Sequence, residues 1–474
     1  MPFAEDGIMA NLPPLFLDRM ERYLGEEYPR FRQALREAPR SGLRVNTLKV
    51  TPEEFARISP FALGEKVPWC PSAFLLSGEE RPGKHPFHLA GLYYLQEPSA
   101  MAAAEILAPQ PGERVLDMAA SPGGKTTHLA ALMQGQGILI ANEIKEKRLG
   151  QLVMNVERWG APNVIITNES PERLVQRFGD GFDRVLLDAP CSGEGMFRKD
   201  ASAPTCWSEA MIAGCAARQI VLLRLAARLV RPGGYLLYST CTFAPEENEE
   251  VIATFLEEHP EFRVIPIPKF EGAMGGQAGW LSRAFSPSIQ ASLNGALRLF
   301  PHRIPGEGHF VCLLQRVGAS PLAHQQTTRP SLPPAYRKLW QEFASQTLSS
   351  AARLLQDESY LSLWNERLYY FPSALPWLDG LRHVHRGLWV GTFKKNRFEP
   401  AHPLALFLHW DEVQQVLNFP AESEEAAAYL RGESLPSSGE DGWVLVCIEG
   451  WPLGWGKRVR GILKNHYPRH WIRA

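Results

Sequence analysis

The sequence predicts an α/β protein built on a doubly wound parallel sheet, with an α+β module before it and small domains after it. Three observations carry this. From Gly112 to Leu314 short apolar runs alternate with longer amphipathic ones, the rhythm of strand–helix–strand units. Glycine and proline clusters such as Arg231-Pro232-Gly233-Gly234 fall where helices must stop. A loop of small residues, Ala119 to Gly124, joins the first apolar run of the series to the next helical pattern.

The elements follow in order. Residues 12–40 mix apolar and charged positions as a helix does, Leu43–Val50 reads as a strand, and Ala73–Leu76 and Tyr93–Leu95 add short extended pieces. Residues 1–100 therefore form the first module. In 101–317 the strand candidates are Arg114–Leu116, Gly137–Ala141, Asn163–Thr167, Asp183–Leu187, Gly234–Ser239, Phe262–Ile267 and His309–Leu314. The helices between them are Thr126–Met133, Lys145–Trp159, Pro171–Phe178, Ser208–Val230 and Pro245–His259. A linker-like stretch, Gly318 to Pro334, opens a small domain at 318–385, with helical patterns at Ala335–Ser345 and Ser349–Gln356. Residues 386–474 hold the β-like runs Leu388–Phe393, Leu404–Leu408 and Trp443–Ile448.

Composition narrows the class. At 474 residues the chain has room for several domains of about 100–200 residues each. Its 50 basic and 51 acidic residues balance, but residues 456–474 carry Lys457, Arg458, Arg460, Lys464, Arg469 and Arg473 and no acid. Seven cysteines without a C-x-x-C pair make neither a disulfide framework nor a zinc ligand set, and no metal is expected. The start has no basic, apolar leader, and no run of about 18 apolar residues crosses a membrane. Reduced thiols in a cytoplasmic protein are the simple reading.

The loop Ala119-Ala120-Ser121-Pro122-Gly123-Gly124-Lys125 lies between a strand and a helix start. Adjacent glycines let a ligand approach the backbone, and the new helix offers free N–H groups to a carboxylate or phosphate. A dinucleotide fingerprint is absent. A Walker A loop is missed only at its first glycine, which Ala119 replaces, and Val185–Asp188 could serve as a Walker B strand. Glu143 separates the readings: it closes the second strand 20 residues beyond Gly123, where a carboxylate meets ribose hydroxyls. Together these favour S-adenosyl-L-methionine. Arg148 joins the expected cofactor contacts, and Asn168, after the third strand, is placed to bond the adenine.

Two cysteines each follow a strand, in Asp188-Ala189-Pro190-Cys191 and Ser239-Thr240-Cys241-Thr242. As neighbours in a parallel sheet, these strand ends would lie ~4.8 Å apart and open both thiols into the cleft at the sheet's carboxyl edge. Cys70, Cys206, Cys215, Cys312 and Cys447 lack such a context and read as structural.

Arg44-Val45-Asn46-Thr47, Gln96-Glu97-Pro98-Ser99, Ala120 to Lys125, Asp188 to Gly193 and Ser239 to Thr242 together resemble the Sun-type RNA (cytosine-5)-methyltransferases. The resemblance covers residues 40–316, including Pro301-His302-Arg303 and Gly306-Glu307-Gly308. Segments Gly391–Arg397 and Gly456–Arg460 are similar to those of the family's bacterial 16S rRNA members, whose last domain is PUA-like. The resemblance implies a Rossmann-like class I methyltransferase sheet, an RNA-binding N-terminal module and a PUA-like domain at 386–474. It also implies transfer of a methyl group from S-adenosyl-L-methionine to cytosine C5 of 16S rRNA, near the decoding region.

The chemistry accounts for two thiols. A thiolate added at cytosine C6 makes C5 nucleophilic, and the thiol must afterwards be expelled. In DNA cytosine methylases the Pro-Cys cysteine attacks, which would be Cys191. The family resembled here uses the Thr-Cys cysteine, Cys241, and gives product release to Cys191. Asp188 would bond the N3/N4 edge of cytosine, with Lys125 beside it. The family has aspartate where this chain has Asn168. RNA is then the partner, as 16S rRNA, the 30S subunit or an assembly intermediate, met by a monomer that extrudes the base. Arg44, Asn46, His383–Arg397 (with Trp389, Phe393, Lys394, Lys395 and Arg397) and the basic tail mix cations with aromatics as RNA surfaces do. A tRNA methylase, a P-loop-like NTPase and a non-catalytic assembly factor are the alternatives.

Overall fold

The computed structural model describes residues 11–76, 81–319, 327–328, 332–352, 354, 357–373, 375–376 and 378–471. Helices α1 (Pro14–Leu24) and α2 (Tyr28–Ala34) lead into β1 (Gly42–Val45), β2 (Leu63–Val67), β3 (Cys70–Leu76) and β4 (Tyr93–Gln96). These strands form a sheet of order β2-β3-β1-β4. The strand expected over 43–50 stops at Val45, because the Asn46 side chain accepts from Leu48 N and starts a turn. β2 was not anticipated: its sequence, Leu-Gly-Glu-Lys-Val, has too little apolar alternation to announce a strand.

Helix α3 (Pro98–Leu107) starts on Glu97, whose carboxylate accepts from Ser99 N and Ala100 N, both at 2.8 Å. The central domain continues with β5 (Arg114–Asp117), α4 (Gly124–Leu132), β6 (Ile138–Asn142), α5 (Glu146–Trp159), β7 (Val164–Thr167), α6 (Pro171–Phe178) and β8 (Phe182–Asp188). It then runs through α7 (Glu209–Ala227), β9 (Val230–Thr240), α8 (Glu249–Glu258), β10 (Phe262–Val264), β11 (Met274–Gly275), β12 (Leu297–Leu299) and β13 (His309–Arg316). Strands β7-β6-β5-β8-β9 are parallel in that order, so the winding reverses between β5 and β8. Consecutive residues of β8 serve opposite faces: Val185 and Leu187 pack with Leu223 of α7, whereas Leu186 packs with Leu129 of α4 and Val156 of α5. Each fully buried leucine contributes roughly 1.5–3 kcal/mol. That two-faced burial is what makes the runs continuously apolar.

The sheet departs from the all-parallel expectation at both edges. β13 runs antiparallel to β9, β10 and β12. At the other edge a strand from beyond the domain, β14 (His383–Arg386), pairs antiparallel with β7. His385 is therefore buried in the sheet edge, and Gly387 N donates to Val164 O at 2.9 Å. Helix α7 is long and apolar enough to cross a membrane by length and composition, but its Ile212, Leu223 and Ala226 are buried.

The C-terminal region begins with α9 (Pro334–Thr347). The helix expected at 349–356 is a turn over 349–352, with residues 353, 355 and 356 outside the described set. Of Leu404–Leu408, expected as β, all but the C-cap Leu408 belong to α10 (His402–Phe407), which has proline in its first turn. A five-residue apolar run cannot by periodicity be told from a buried helix. The last sheet includes Val416–Phe419, Gly442–Ile448, Trp451–Val459 and Ile462–Asn465.

Candidate active site

β8 and β9 end side by side, with Asp188 in register with Ser239. Beyond them the chain turns so that the Cys191 and Cys241 sulfurs lie 3.3 Å apart, both half-buried. Two buried carboxylates hold the turns. Glu194 accepts from Thr242 Oγ1 (3.0 Å), Phe243 N (2.8 Å) and Trp207 Nε1 (2.9 Å). Glu247 accepts from Ser192 N (2.9 Å), Gln219 Nε2 (2.8 Å) and Ser192 Oγ. Gly195 N donates to Cys241 O at 2.8 Å, and a Cβ on Gly195 would sit 2.9 Å from Gly308 O, so no side chain fits there. Neither glutamate was singled out from the sequence. Each lies near its motif, at Glu194 and Glu247, but only the tertiary turn aims it inward.

Asp188 lies beside the thiols. Its Oδ2 accepts from Lys125 Nζ at 2.7 Å and its Oδ1 from Ser239 Oγ at 2.8 Å. Burial pushes its pKa up, but Lys125 and His309 outweigh that and hold it well below the usual carboxylate range. Burial likewise opposes the charge on Lys125, and Asp188 restores it, leaving the ammonium more firmly protonated than an ordinary lysine. The hydrogen bond to Cys241 and then burial push the Cys191 thiol well above the ordinary range. The two sulfurs are within hydrogen-bonding distance, and either can be the donor.

The expected cofactor residues gather along the adjoining ends of β5, β6 and β7. Ala119, Ala120, Ser121 and Pro122 form the loop, Gly123 takes φ 109° and Gly124 starts α4, whose N-terminus has no side-chain cap. The Ser121–Pro122 peptide is cis. Arg148 Nη2 donates to Ser121 O at 2.5 Å, and Arg148 Nη1 lies 3.2 Å from Glu143 Oε2. Glu143 is 3% exposed. Asn168 Nδ2 donates to Glu143 O (2.7 Å) and Ile144 O (3.1 Å), which leaves its Oδ1 to accept from a ligand. The set suits S-adenosyl-L-methionine: uncapped N–H groups for a carboxylate, a buried acid for a diol and an acceptor for an amine.

Several expected RNA contacts are corrected. Arg44 and Asn46 are fully buried, not on a surface. Arg44 Nη2 donates to Gly124 O (3.0 Å) and Thr127 Oγ1 (2.9 Å), and its guanidinium stacks 4.7 Å from the Trp159 ring. Asn46 Nδ2 donates to Gly91 O and Trp159 O. Arg44 braces the N-terminal sheet against the start of α4, and Asn46 braces it against the end of α5. Phe393 is core and Arg458 is buried on Ser437, whereas Lys394, Lys395, Arg397, Arg460, Lys464 and Arg469 are exposed. Arg473 lies outside the described residues. Cys206 is exposed, so it is not a packing cysteine. Cys70 belongs to a buried group with His128 and Glu105, where His128 Nε2 lies 2.9 Å from Glu105 Oε1.

Comparison with known proteins agrees with this architecture. Residues 104–315 match the family described as 16S rRNA methyltransferase RsmB/F. Residues 12–98 match the N-terminal domain of 16S rRNA methyltransferase RsmF, 342–408 its first C-terminal domain, and 416–473 its PUA domain. The ribosomal RNA small subunit methyltransferase F of Erwinia tasmaniensis is 34% identical, with 97% of each chain covered. That of Vibrio vulnificus is 32% identical, with 98% of each covered. A solved methyltransferase homolog from Pyrococcus horikoshii superposes with a TM-score of 0.57 at 32% identity, over 67% of this chain and all of its own. NSun6 from the same organism, solved with SFG, shares the fold at 22% identity, with a TM-score of 0.54 over 65% of this chain and 99% of its own.

Proposed function

The chain belongs to the RsmB/F family of 16S rRNA methyltransferases, and from that premise we propose that it methylates cytosine C5 through a covalent bond between Cys241 and C6. The observation that carries this reading is the sulfur pair at 3.3 Å beside the Lys125–Asp188 ion pair. In it, Cys241 adds to C6, with Cys191 Sγ 3.3 Å away to hydrogen-bond its sulfur. Asp188, held ionised, accepts from the exocyclic N4 amine and orients the ring, while Lys125 holds Asp188 in place. S-adenosyl-L-methionine, held by Ala119–Lys125, Glu143, Arg148, Asn168 and Asp188, would supply the electrophilic methyl group. The C5 hydrogen then leaves as a proton to solvent, its bond pair re-forms the C5–C6 double bond and expels the Cys241 thiolate, and Cys191 assists that elimination and release of the product.

The enzyme acts on rRNA. We take its finer target as 16S rRNA near the decoding region, within the 30S subunit or an assembly intermediate, met by a cytoplasmic monomer whose PUA domain and N-terminal module bind RNA. Bisulfite mapping of RNA from a strain lacking the gene tests this: one or more 16S cytosines should lose methylation. Loss confined to tRNA would move the substrate to the tRNA alternative. A protein that binds 16S rRNA while every cytosine signal stays unchanged would be an assembly factor.

A further inference from the structure

His309 opens β13 and is 5% exposed. Its Nδ1 lies 3.1 Å from the Gly308 carbonyl oxygen, which can only accept, so Nδ1 carries a hydrogen. Its Nε2 lies 3.8 Å from Asp188 Oδ1 and has no hydrogen-bond partner among the described residues. With Nδ1–H fixed, the neutral ring would turn a bare lone pair toward a carboxylate. The doubly protonated ring turns an N–H there instead. Only the second arrangement is attractive.

The charged groups around this point come from every packed element. Asp188 ends β8, Lys125 lies in the first turn of α4, Asp117 ends β5 and Cys241 follows β9. Glu97, at the start of α3, accepts from Glu307 N at 2.8 Å just before His309. Lys125 opposes a charge on His309 and Asp188 favours it. Asp188 is the carboxylate within 4 Å of Nε2.

We propose that His309 is a positioning residue that holds Asp188 as an imidazolium and, through it, supplies the proton that cytosine N3 takes up when Cys241 adds. This rests on the reading above. As the S–C6 bond forms, the C5–C6 π pair moves to C4–C5 and the C4–N3 π pair to N3. The proton leaves His309 Nε2 for the Asp188 carboxylate and passes from that carboxyl to N3. The thiolate and the imidazolium are thereby neutralised together, and Asp188 is a carboxylate before and after. When the Cys241–C6 bond breaks, the electron pair returns to sulfur and the N3 proton goes back to His309 by the same route.

Two measurements on the full chain test this. pH–rate profiles of RNA methylation would compare wild type with His309→Gln, its fold checked by circular dichroism. The variant should lose about tenfold or more in kcat, the scale of acid–base assistance, with KM for RNA little changed. Its pH–rate profile should differ from that of wild type. Nitrogen-15 NMR of histidine-labelled protein without RNA should show hydrogen on both His309 nitrogens in wild type, and loss of the Nε2 hydrogen at the same pH in Asp188→Asn. An unprotonated Nε2 in wild type overturns the proposal, as does a His309→Gln enzyme with wild-type rate and profile. If wild type fails to methylate RNA, the function proposed above falls, and the NMR result still decides the His309–Asp188 pairing.

Discussion

Cys191 Sγ and Cys241 Sγ lie 3.3 Å apart, within hydrogen-bonding distance, just beyond the ends of two adjacent parallel strands. The hydrogen bond to Cys241 and then burial push the Cys191 thiol well above the ordinary range, which fits the release role proposed for Cys191.

Replacing each cysteine should separate the two roles. Cys241→Ala should lower methyl transfer by at least about 10³-fold, because it removes the proposed nucleophile. Cys191→Ala should accumulate a protein–RNA adduct that survives denaturing electrophoresis. A dead Cys191→Ala without adduct, beside an active Cys241→Ala, would reverse the assignment.

The same proximity predicts sensitivity to oxidation. A disulfide needs a sulfur separation of about 2.05 Å, within reach of small rotamer changes from the observed distance. Hydrogen peroxide should convert one thiolate to a sulfenic acid, which the second thiol displaces with loss of water. Mass spectrometry should find a Cys191–Cys241 cross-linked peptide, and dithiothreitol should restore activity. Cys206→Ser, although it removes an exposed thiol, should leave this behaviour unchanged.

Glu143 should govern cofactor affinity more than RNA affinity. Glu143→Ala removes a buried carboxylate at the end of β6 and unpairs Arg148. Calorimetry should show S-adenosyl-L-methionine binding weakened about tenfold or more, some 1.4 kcal/mol. RNA binding should change less than twofold, roughly within the scatter expected for a distant site.

Glu247 should make stability fall with pH. Burial pushes its carboxyl up to about 7, more than the Ser192 and Gln219 hydrogen bonds lower it. The folded state therefore holds a proton that the unfolded chain, with its ordinary carboxyl, has already released. Stability from this group is complete below the unfolded value and is lost as pH rises through about 7, by up to about 3 kcal/mol. Glu247→Gln should flatten the decline in Tm between pH 5 and 8. It should not abolish it, because Asp117, pushed up to about 7, and Glu157, pushed up to about 8, act in the same direction.

Arg44 should prove to be a structural residue. Arg44→Ala leaves the Gly124 carbonyl and the Thr127 hydroxyl without their buried donor and empties the space against Trp159. Unfolding should cost about 3 kcal/mol less. The folded fraction should bind RNA as wild type does, which filter binding at a permissive temperature would check.

The sequence by itself determined the elements whose pattern is local. The β5–β9 series announced itself because strands buried on both faces are continuously apolar, and the loop Ala119–Gly124, Glu143, Asp188, Cys191 and Cys241 all sit at strand ends that the pattern locates. That the two thiols stand on neighbouring strands was only a condition in the sequence, and the parallel pairing of β8 with β9 met it. Tertiary structure decided what depends on partners distant in the chain. Arg44 and Asn46 look like RNA contacts until Trp159 and Gly124 close over them, 115 and 80 positions away. β14 completes the sheet from the far side of a linker, and β13 brings His309 to Asp188 by running antiparallel, which no periodicity reports. Burial, hydrogen bonding and the charge that one buried group imposes on another are set only when the chain has closed.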